Sequence, residues 1–231
     1  MIPLRDNAAP RRLTPVNIVL IAVNVAVFVY ELSLGPRVAA LVDKFALVPA
    51  AVTRAMSSGA PGNLHPLEPL MTIVTSMFLH GGILHIAGNM LYLFIFGAAV
   101  EYRMGAARYL SFYLAAGIAA ALATVWIAPE SNVPVIGASG AIAGVLGAYF
   151  ILYPRGRILT ILPIFIFIQF IEIPAVIYLL FWFAIQLYAG LEEGGSAGAM
   201  GGVAWWAHVG GFMFGVALGP MLAKNRPRRV R

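Results

Sequence analysis

Six stretches of the chain are apolar for long enough to cross a lipid bilayer. They cover about residues 16–34, 77–99, 107–128, 135–153, 174–191 and 203–223. A helix needs roughly 20 apolar residues to span the hydrocarbon core, and each run is close to that length. The pattern predicts an all-α polytopic membrane protein with a six-transmembrane-helix bundle over residues 16–223. Residues 1–15 and 224–231 are then an N-terminal tail and a basic C-terminal tail.

Two connecting segments are apolar but interrupted by prolines. Residues 35–75 contain apolar runs too short to span, separated by prolines, and we expect this segment to lie half sunk in the membrane interface. Residues 158–172 are rich in Ile and Phe, broken by Pro163 and followed by Pro174. They are better interpreted as an interfacial hairpin than as another span.

The composition agrees with a lipid environment. Of the 231 residues, 61% are hydrophobic and only 10% are charged, whereas soluble domains carry roughly 25% charged residues. The absence of cysteine excludes disulfides, thiol nucleophiles and cysteine-ligated metals. The length is used up by the spans, so there is no room for a sizeable second soluble domain.

The net charge of +6 is best explained by membrane orientation. Six spans leave both termini on one side, and placing that side in the cytoplasm puts 12 of the 15 basic residues there. The cytoplasmic set is Arg5, Arg11, Arg12, Arg103, Arg108, Arg155, Arg157, Lys224, Arg226, Arg228, Arg229 and Arg231; Arg37, Lys44 and Arg54 fall outside. This excess satisfies the positive-inside rule, so a nucleic-acid partner is not expected.

Four polar residues share one depth in this topology. Spans two, four and six all run from outside to inside, with His85 and Asn89 in the outer part of span two, Ser139 early in span four and His208 early in span six. Polar groups inside a membrane are costly and usually mark function. Three helices that carry such groups to the same level are harder to explain by chance than any one residue.

Glycines predict that spans four and six pack closely. Gly140 and Gly144 lie four residues apart in one span, and Gly211 and Gly215 in the other. Small residues at this spacing let two helix backbones approach in lipid. That packing would bring Ser139 within hydrogen-bond reach of His208, as a nucleophile and its general base require. No acidic residue falls in the outer part of spans two, four or six, so we predict a dyad without a carboxylate.

His85 and Asn89 are four residues apart and share one helix face. Side-chain donors of this kind, together with the backbone N–H of Ser139, are suited to hold the oxyanion of a tetrahedral intermediate. His80 is off that face and is interpreted as structural, tying the loop before span two.

Plainer interpretations stay open for each residue taken alone. A small Gly-Ala-Ser-Gly segment is ordinary at a helix-packing face, a single buried histidine is often just hydrogen-bonded, and a single asparagine often bridges helices. A metal site would use His80, His85 and His208, but no HExxH motif or carboxylate accompanies them. We therefore expect neither a metal nor a cofactor.

Three segments resemble the signatures of the rhomboid intramembrane serine proteases. They are His80–Asn89 with the sequence HGGILHIAGN, Gly137–Gly140 with GASG, and Ala207–Gly211 with AHVGG. The resemblance implies a rhomboid-like bundle in which Ser139 is the nucleophile and His208 the base, with His85, Asn89 and the Ser139 amide as the oxyanion hole. It also implies that residues 35–75 sit half in the membrane and that residues 174–198 control lateral access of the substrate. Residues 100–105 are similar to the family's segment after span two, and Glu101 and Arg103 are taken as structural.

Two positions depart from the family pattern. No tryptophan occurs between residues 35 and 75, where some members carry a Trp-Arg pair, and Ala143 stands where some members place an aromatic that stacks on the catalytic histidine. The first leaves open how the loop packs, and the second how His208 is oriented.

The expected function is cleavage of transmembrane segments near their outer end, in a multi-pass protein of a bacterial inner membrane with both termini in the cytoplasm. The expected partners are transmembrane protein substrates and the lipid bilayer. The alternative is a non-proteolytic relative that binds transmembrane segments for quality control. A transporter or channel would call for membrane-embedded charges or an internal repeat, and we identify neither feature.

Overall fold

The computed structural model describes residues 1–8, 14–58, 68–164, 167–193 and 204–224. Arg11, Arg12, residues 194–198 of the segment expected to control substrate access, and the basic tail beyond Lys224 lie outside the described residues.

Helices make up most of the described chain. They are α1 (Pro15–Ser33), α2 (Val38–Phe45), α3 (Pro49–Ser58), α4 (Glu68–Thr75), α5 (Ile83–Tyr92), α6 (Ala98–Met104), α7 (Ala106–Ile127), α8 (Ser139–Leu152), α9 (Ala175–Glu192) and α10 (Trp205–Leu222). Short 3-10 turns occupy Gly35–Arg37 and Ser76–Phe78, and a π turn over Leu93–Gly97 joins α5 to α6. The strands are β1 (Ile2–Asp6), β2 (Arg157–Ile164) and β3 (Phe167–Pro174).

The predicted helical membrane bundle is confirmed. Four helical stretches are long and apolar enough to span a bilayer: Pro15–Ser33, Ile83–Met104, Ala106–Ile127 and Ala175–Glu192. The apolar helices α8 and α10 pack among them. The protein is therefore an integral membrane protein whose core lies between these six helical segments.

The fourth span is shorter than predicted. The apolar run 135–153 forms a helix only from Ser139 to Leu152, and its 14 residues rise about 21 Å. Gly137 interrupts it with a φ of +127°, which no helix accommodates, and its N–H donates to the carbonyl of Ser76. Val135 is extended and forms a β-bridge with Leu47. Consequently Ser139 is the first residue of α8 and lies at the N-terminus of the helix, not in its interior.

Helix α8 is shielded by the other helices along nearly its whole length. It packs most extensively against α10 along the glycines. A Cβ atom on Gly211 would overlap the carbonyl oxygen of Gly140, and one on Gly215 would overlap that of Gly144. The two backbones therefore touch, and any larger residue at Gly211 or Gly215 would push α10 away from α8.

Strands β2 and β3 pair antiparallel, with Arg157 opposite Pro174 and Ile164 opposite Phe167, as the hairpin expected over residues 158–172 requires. The N-terminal segment adds a third strand that the hydrophobic pattern did not reveal. Strand β1 pairs antiparallel with β2, with Ile2 opposite Ile161. The five residues contain Pro3 and the charged pair Arg5 and Asp6, so they do not show the pattern of a strand. Strand β2 supplies the hydrogen-bond partners that they need.

The described parts of the segment 35–75 pack on the end of α7. Leu47 and Val52 are fully buried there with Ala121 and Val125. These aliphatic side chains anchor the loop of this chain, which lacks the tryptophan of some family members. Whether the segment lies at the membrane interface stays a prediction.

Both ends of the described chain lie at one end of the bundle. Strand β1 pairs with the hairpin that joins α8 to α9, while Lys224 N–H donates to the carbonyl of Arg103 after α10 has ended. The Arg103 side chain also donates to the carbonyl of Leu152 (3.4 Å). We call this end, defined by Glu101, Arg103, Leu152, Lys224 and β1, the termini end. The opposite end, where α5, α8 and α10 begin, is the cavity end.

Candidate active site

Ser139 and His208 meet at the cavity end. Ser139 begins α8 and His208 is the fourth residue of α10, so the glycine contact between these two helices brings the side chains together. The Oγ of Ser139 lies 2.8 Å from Nε2 of His208. A serine hydroxyl at this distance from an imidazole nitrogen is the arrangement that nucleophilic catalysis requires.

The other ring nitrogen of His208 has a partner that the sequence analysis missed. Nδ1 of His208 lies 2.7 Å from Oε1 of Gln186 on α9. The amide nitrogen of Gln186 donates to the carbonyl of Trp182 one helical turn earlier (3.1 Å). The sequence does contain one signal for this partner. Gln186 is the single amide side chain in the apolar run 174–191, and a polar residue within a span is unusual.

Two tryptophans orient the imidazole ring. Trp182 lies 5.8 Å from the His208 ring, measured between centroids, at an interplanar angle of 38°. Trp205 makes an edge contact at 6.3 Å and 90°. The aromatic that is absent at Ala143 is thus replaced by side chains from α9 and α10, which answers the question of orientation that the sequence left open.

His85 and Asn89 face the backbone just before Ser139. A Cβ atom on Gly137 would lie 2.7 Å from Nε2 of His85 and 3.7 Å from Nδ2 of Asn89. The N–H of Gly81 donates to Nδ1 of His85 (3.2 Å), so the neutral ring carries its proton on Nε2. The amide nitrogen of Asn89 is buried without a hydrogen-bond acceptor. Within the described ranges, two donors beside Gly137 therefore have no acceptor.

The backbone N–H of Ser139 is a third available donor. The first N–H groups of a helix have no intrahelical acceptor, and Ser139 is the first residue of α8. This position depends on the left-handed Gly137, because a helix that started at Val135 would have used the Ser139 N–H internally.

His80 lies behind His85 in the loop before α5. Its backbone N–H donates to the carboxyl group of Glu31 (3.2 Å to each oxygen), and its Nδ1–H donates to the carbonyl of Phe78 (3.3 Å). Burial, and secondly the proximity of His85, lowers the pKa of His80 to about 4. These contacts tie the loop to α1, as the structural interpretation of His80 predicts.

The contacts of His208 do not suit a metal site made with His80 and His85. Both of its ring nitrogens are engaged, one by Ser139 and the other by Gln186. Among the described residues, no group of three His, Asp or Glu side chains is arranged to hold a metal ion.

A cavity of about 760 Å³ connects these groups. Its lining includes His85, Asn89, Ser139 and His208, with Trp182 on the α9 side. The space is large enough to admit an extended peptide segment together with water.

The site lies within a region that is related to known proteins. A sequence model of the Rhomboid domain matches residues 68–225, which include every site residue described above. The chain is 31% identical over 169 residues to Rhomboid protein 1, mitochondrial, of Saccharomyces cerevisiae, an alignment that covers 70% of this chain and 45% of that protein.

Two further relatives come from a bacterium and a plant. Rhomboid protease GluP of Bacillus subtilis is 37% identical over 149 residues, covering 64% of this chain and 26% of that protein. RHOMBOID-like protein 6, mitochondrial, of Arabidopsis thaliana is 31% identical over 153 residues, covering 65% and 43%. The chain spans less than half the length of each of these three curated relatives.

Proposed function

This chain belongs to the rhomboid family, and we propose that it is an intramembrane serine endopeptidase that cleaves transmembrane segments of other membrane proteins. The observation that carries the proposal is the 2.8 Å contact between Oγ of Ser139 and Nε2 of His208. A relative that is named a protease supports it.

The acylation step begins at the contact between Ser139 and His208. Oγ of Ser139 attacks the carbonyl carbon of the scissile peptide bond while its proton passes to Nε2 of His208. The carbonyl π electrons move to the oxygen and form a tetrahedral oxyanion. When the C–N bond breaks, the imidazolium returns that proton to the departing amine, leaving an ester on Ser139.

The oxyanion is stabilised by the three donors beside Gly137. They are the N–H of Ser139, Nε2–H of His85 and the amide of Asn89. Donors that are already oriented and lack other partners do not have to reorganise as the charge develops, and each is typically worth about 3–4 kcal/mol in the transition state.

Deacylation needs one water molecule. His208 takes a proton from it as the oxygen attacks the ester carbon, and it then returns this proton to Oγ as the ester bond breaks. The products are a carboxylic acid and the restored Ser139. The cavity supplies the space for this water beside the serine.

A transmembrane substrate must be locally extended before this chemistry can begin. In a helix each carbonyl is hydrogen-bonded and shielded by the next turn, so a nucleophile cannot reach it. We therefore infer cleavage sites with small or helix-destabilising residues, near the membrane face on which the cavity end lies.

The charges support an orientation with the termini end in the cytoplasm. Arg103, Arg108, Arg155 and Arg157 belong to that end, and the positive-inside rule places such residues on the cytoplasmic face. Cleavage would then occur near the extracytoplasmic face, in a bacterial inner membrane, by a catalytic bundle over residues 16–223 with tails at 1–15 and 224–231.

The test is cleavage of fluorescent transmembrane peptides by the purified chain in liposomes. Wild type is compared with Ser139→Ala and His208→Ala, and a fluorophosphonate probe reports the activated serine. We expect cleavage and labelling in the wild type only, with unchanged thermal stability in detergent. Activity that persists in both variants would contradict the proposal. No cleavage and no label in the wild type would favour a non-proteolytic protein that binds transmembrane segments.

A further inference from the structure

The hydrogen bonds that end at Ser139 can be satisfied by one arrangement of protons. The carbonyl of Trp182 only accepts, so the group of Gln186 that lies 3.1 Å from it must be the amide nitrogen. Oε1 of Gln186 then faces His208, and because an oxygen only accepts, Nδ1 of His208 must carry the proton. Nε2 is left with its lone pair toward the hydroxyl of Ser139.

We propose that Gln186 is a positioning residue that holds His208 in the tautomer able to act as a base. The proposal rests on the function proposed above. During acylation the imidazole becomes a cation, and its Nδ1–H then remains on Oε1 of Gln186. A neutral amide thus occupies the place that a carboxylate holds in a serine–histidine–aspartate triad.

Because Gln186 and His208 are both buried, water cannot easily take the place of the Gln186 amide as the acceptor for Nδ1 of His208. Gln186 is 5% exposed and His208 is 9% exposed, while Trp182 and Trp205 cover the ring. In the other tautomer the lone pair of Nδ1 would face Oε1, and the proton on Nε2 would face the serine. Rotating the amide of Gln186 to relieve this contact would place Oε1 against the carbonyl of Trp182.

Few titratable groups lie near the ring of His208, where they could compete with Gln186 in setting its tautomer. The groups packed around His208 are Ser139 from α8, Gln186 and Trp182 from α9, and Trp205 on its own helix. The titratable group that acts on it across the cavity is His85 of α5. No carboxyl group within the described part of the chain hydrogen-bonds to the ring of His208, so the amide is the acceptor that fixes its tautomer.

Two substitutions separate the acceptor from the shape of the side chain. Gln186→Met keeps the length and removes the acceptor, whereas Gln186→Glu keeps an acceptor and adds a charge. Gln169→Met, on the exposed strand β3, is the matched control. Each is measured in liposomes for kcat, KM and the dependence of rate on pH.

We expect Gln186→Met to lower kcat roughly 10- to 100-fold, less than the roughly 100- to 10,000-fold that a general base itself contributes, because His208 is still present. KM should be nearly unchanged. Gln186→Glu should retain most of kcat at alkaline pH while the acidic limb of its pH–rate profile moves to higher pH, because a carboxylate stabilises the imidazolium. Gln169→Met should match the wild type. Wild-type kcat in Gln186→Met, or an unmoved acidic limb in Gln186→Glu, overturns the proposal.

A spectroscopic readout makes the result independent of proteolysis and of variant folding. In histidine-labelled wild type, ¹⁵N NMR should show His208 protonated on Nδ1, with its signals identified by their loss in His208→Ala. A proton on Nε2 overturns the proposal even if the protein is an active protease. The expected tautomer in a protein that cleaves nothing supports the role of Gln186 as the partner of His208, and counts against the proposed function alone.

Discussion

The two ends of the bundle differ in whether their buried polar groups have hydrogen-bond partners within the protein. At the termini end, the carboxyl group of Glu101 accepts the N–H groups of Val16 and Asn17 (3.2 and 2.7 Å) and so caps the start of α1. The Asn17 side chain donates to the carbonyl of Leu93 (3.0 Å) and accepts from the hydroxyl of Tyr109 (2.7 Å). Each of these groups is used by another part of the protein.

At the cavity end, two comparable groups lack a partner among the residues that the structure describes. The amide nitrogen of Asn89 has no acceptor although it is buried, and Nε2 of His85 faces the space beside Gly137. Burial without a partner is costly, at about 1–3 kcal/mol for each group. Because Asn89 and His85 also line the cavity, a ligand or transition state bound there can supply the missing partner.

The comparison distinguishes two residues of the same type by their hydrogen-bond partners. Asn17 and Asn89 are both buried asparagines in membrane-spanning helices. The first joins three helical segments, whereas the second leaves a donor free beside the proposed nucleophile. Three substitutions test this distinction.

The largest loss of kcat is expected from a substitution that fills the space beside the donors of His85 and Asn89. A Cβ atom on Gly137 would lie 2.7 Å from Nε2 of His85, and the φ of +127° disfavours any side chain. Gly137→Ala should lower kcat by at least about 100-fold, the loss typical of one oxyanion donor. Steady-state cleavage of a transmembrane peptide measures this.

Gly88→Ala is the matched control for that substitution. A Cβ atom on Gly88 of α5 meets no atom within 4 Å, so the same added methyl group should change kcat little. Equal losses in both variants would mean that the space beside Gly137 has no special role.

A pair of substitutions at opposite ends should have opposite consequences. Asn89→Leu removes a donor that has no partner, so kcat should fall roughly 100- to 1,000-fold while thermal stability stays the same or rises. Glu101→Gln disturbs the cap of α1 and should lower stability by about 1.5–3 kcal/mol, with cleavage per folded molecule largely retained. Thermal unfolding in detergent and cleavage kinetics distinguish the two. Parallel losses in both quantities for both variants would remove the distinction.

The smallest effect concerns the pH dependence of stability. Burial, followed by His85, holds the pKa of His80 at about 4, below its ordinary value of 6.5. As the pH falls below 6.5, the unfolded chain takes up a proton before the folded one does. Stability from a neutral His80 is therefore present above pH 6.5 and is lost toward pH 4, by at most about 1.4 kcal/mol per pH unit.

His80→Gln should flatten this dependence. Unfolding free energies are measured in SDS at several pH values between 7.5 and 4.5 for the variant and the wild type. Equal slopes would show that His80 is not the group that titrates, and would direct attention to Glu31 and His85, which contact it.

Sequence alone was sufficient for the features that depend on local chemistry. Runs of about twenty apolar residues predict the spans whatever surrounds them, and small residues four apart predict a close helix contact. From these followed the helical membrane bundle and a shared depth for Ser139, His208, His85 and Asn89. The basic residues likewise favoured an orientation.

Tertiary structure alone decided which atoms pair. Gln186 lies 22 residues from His208 on another helix, and no spacing rule relates them. The start of α8 at Ser139 depends on Gly137 bonding to Ser76, and β1 depends on a hairpin more than 150 residues away. Apolarity is a property of each segment and is visible in its residues. The partner of a polar atom is fixed only when the helices pack, because it is set by distances of a few ångströms between segments that are remote in the chain.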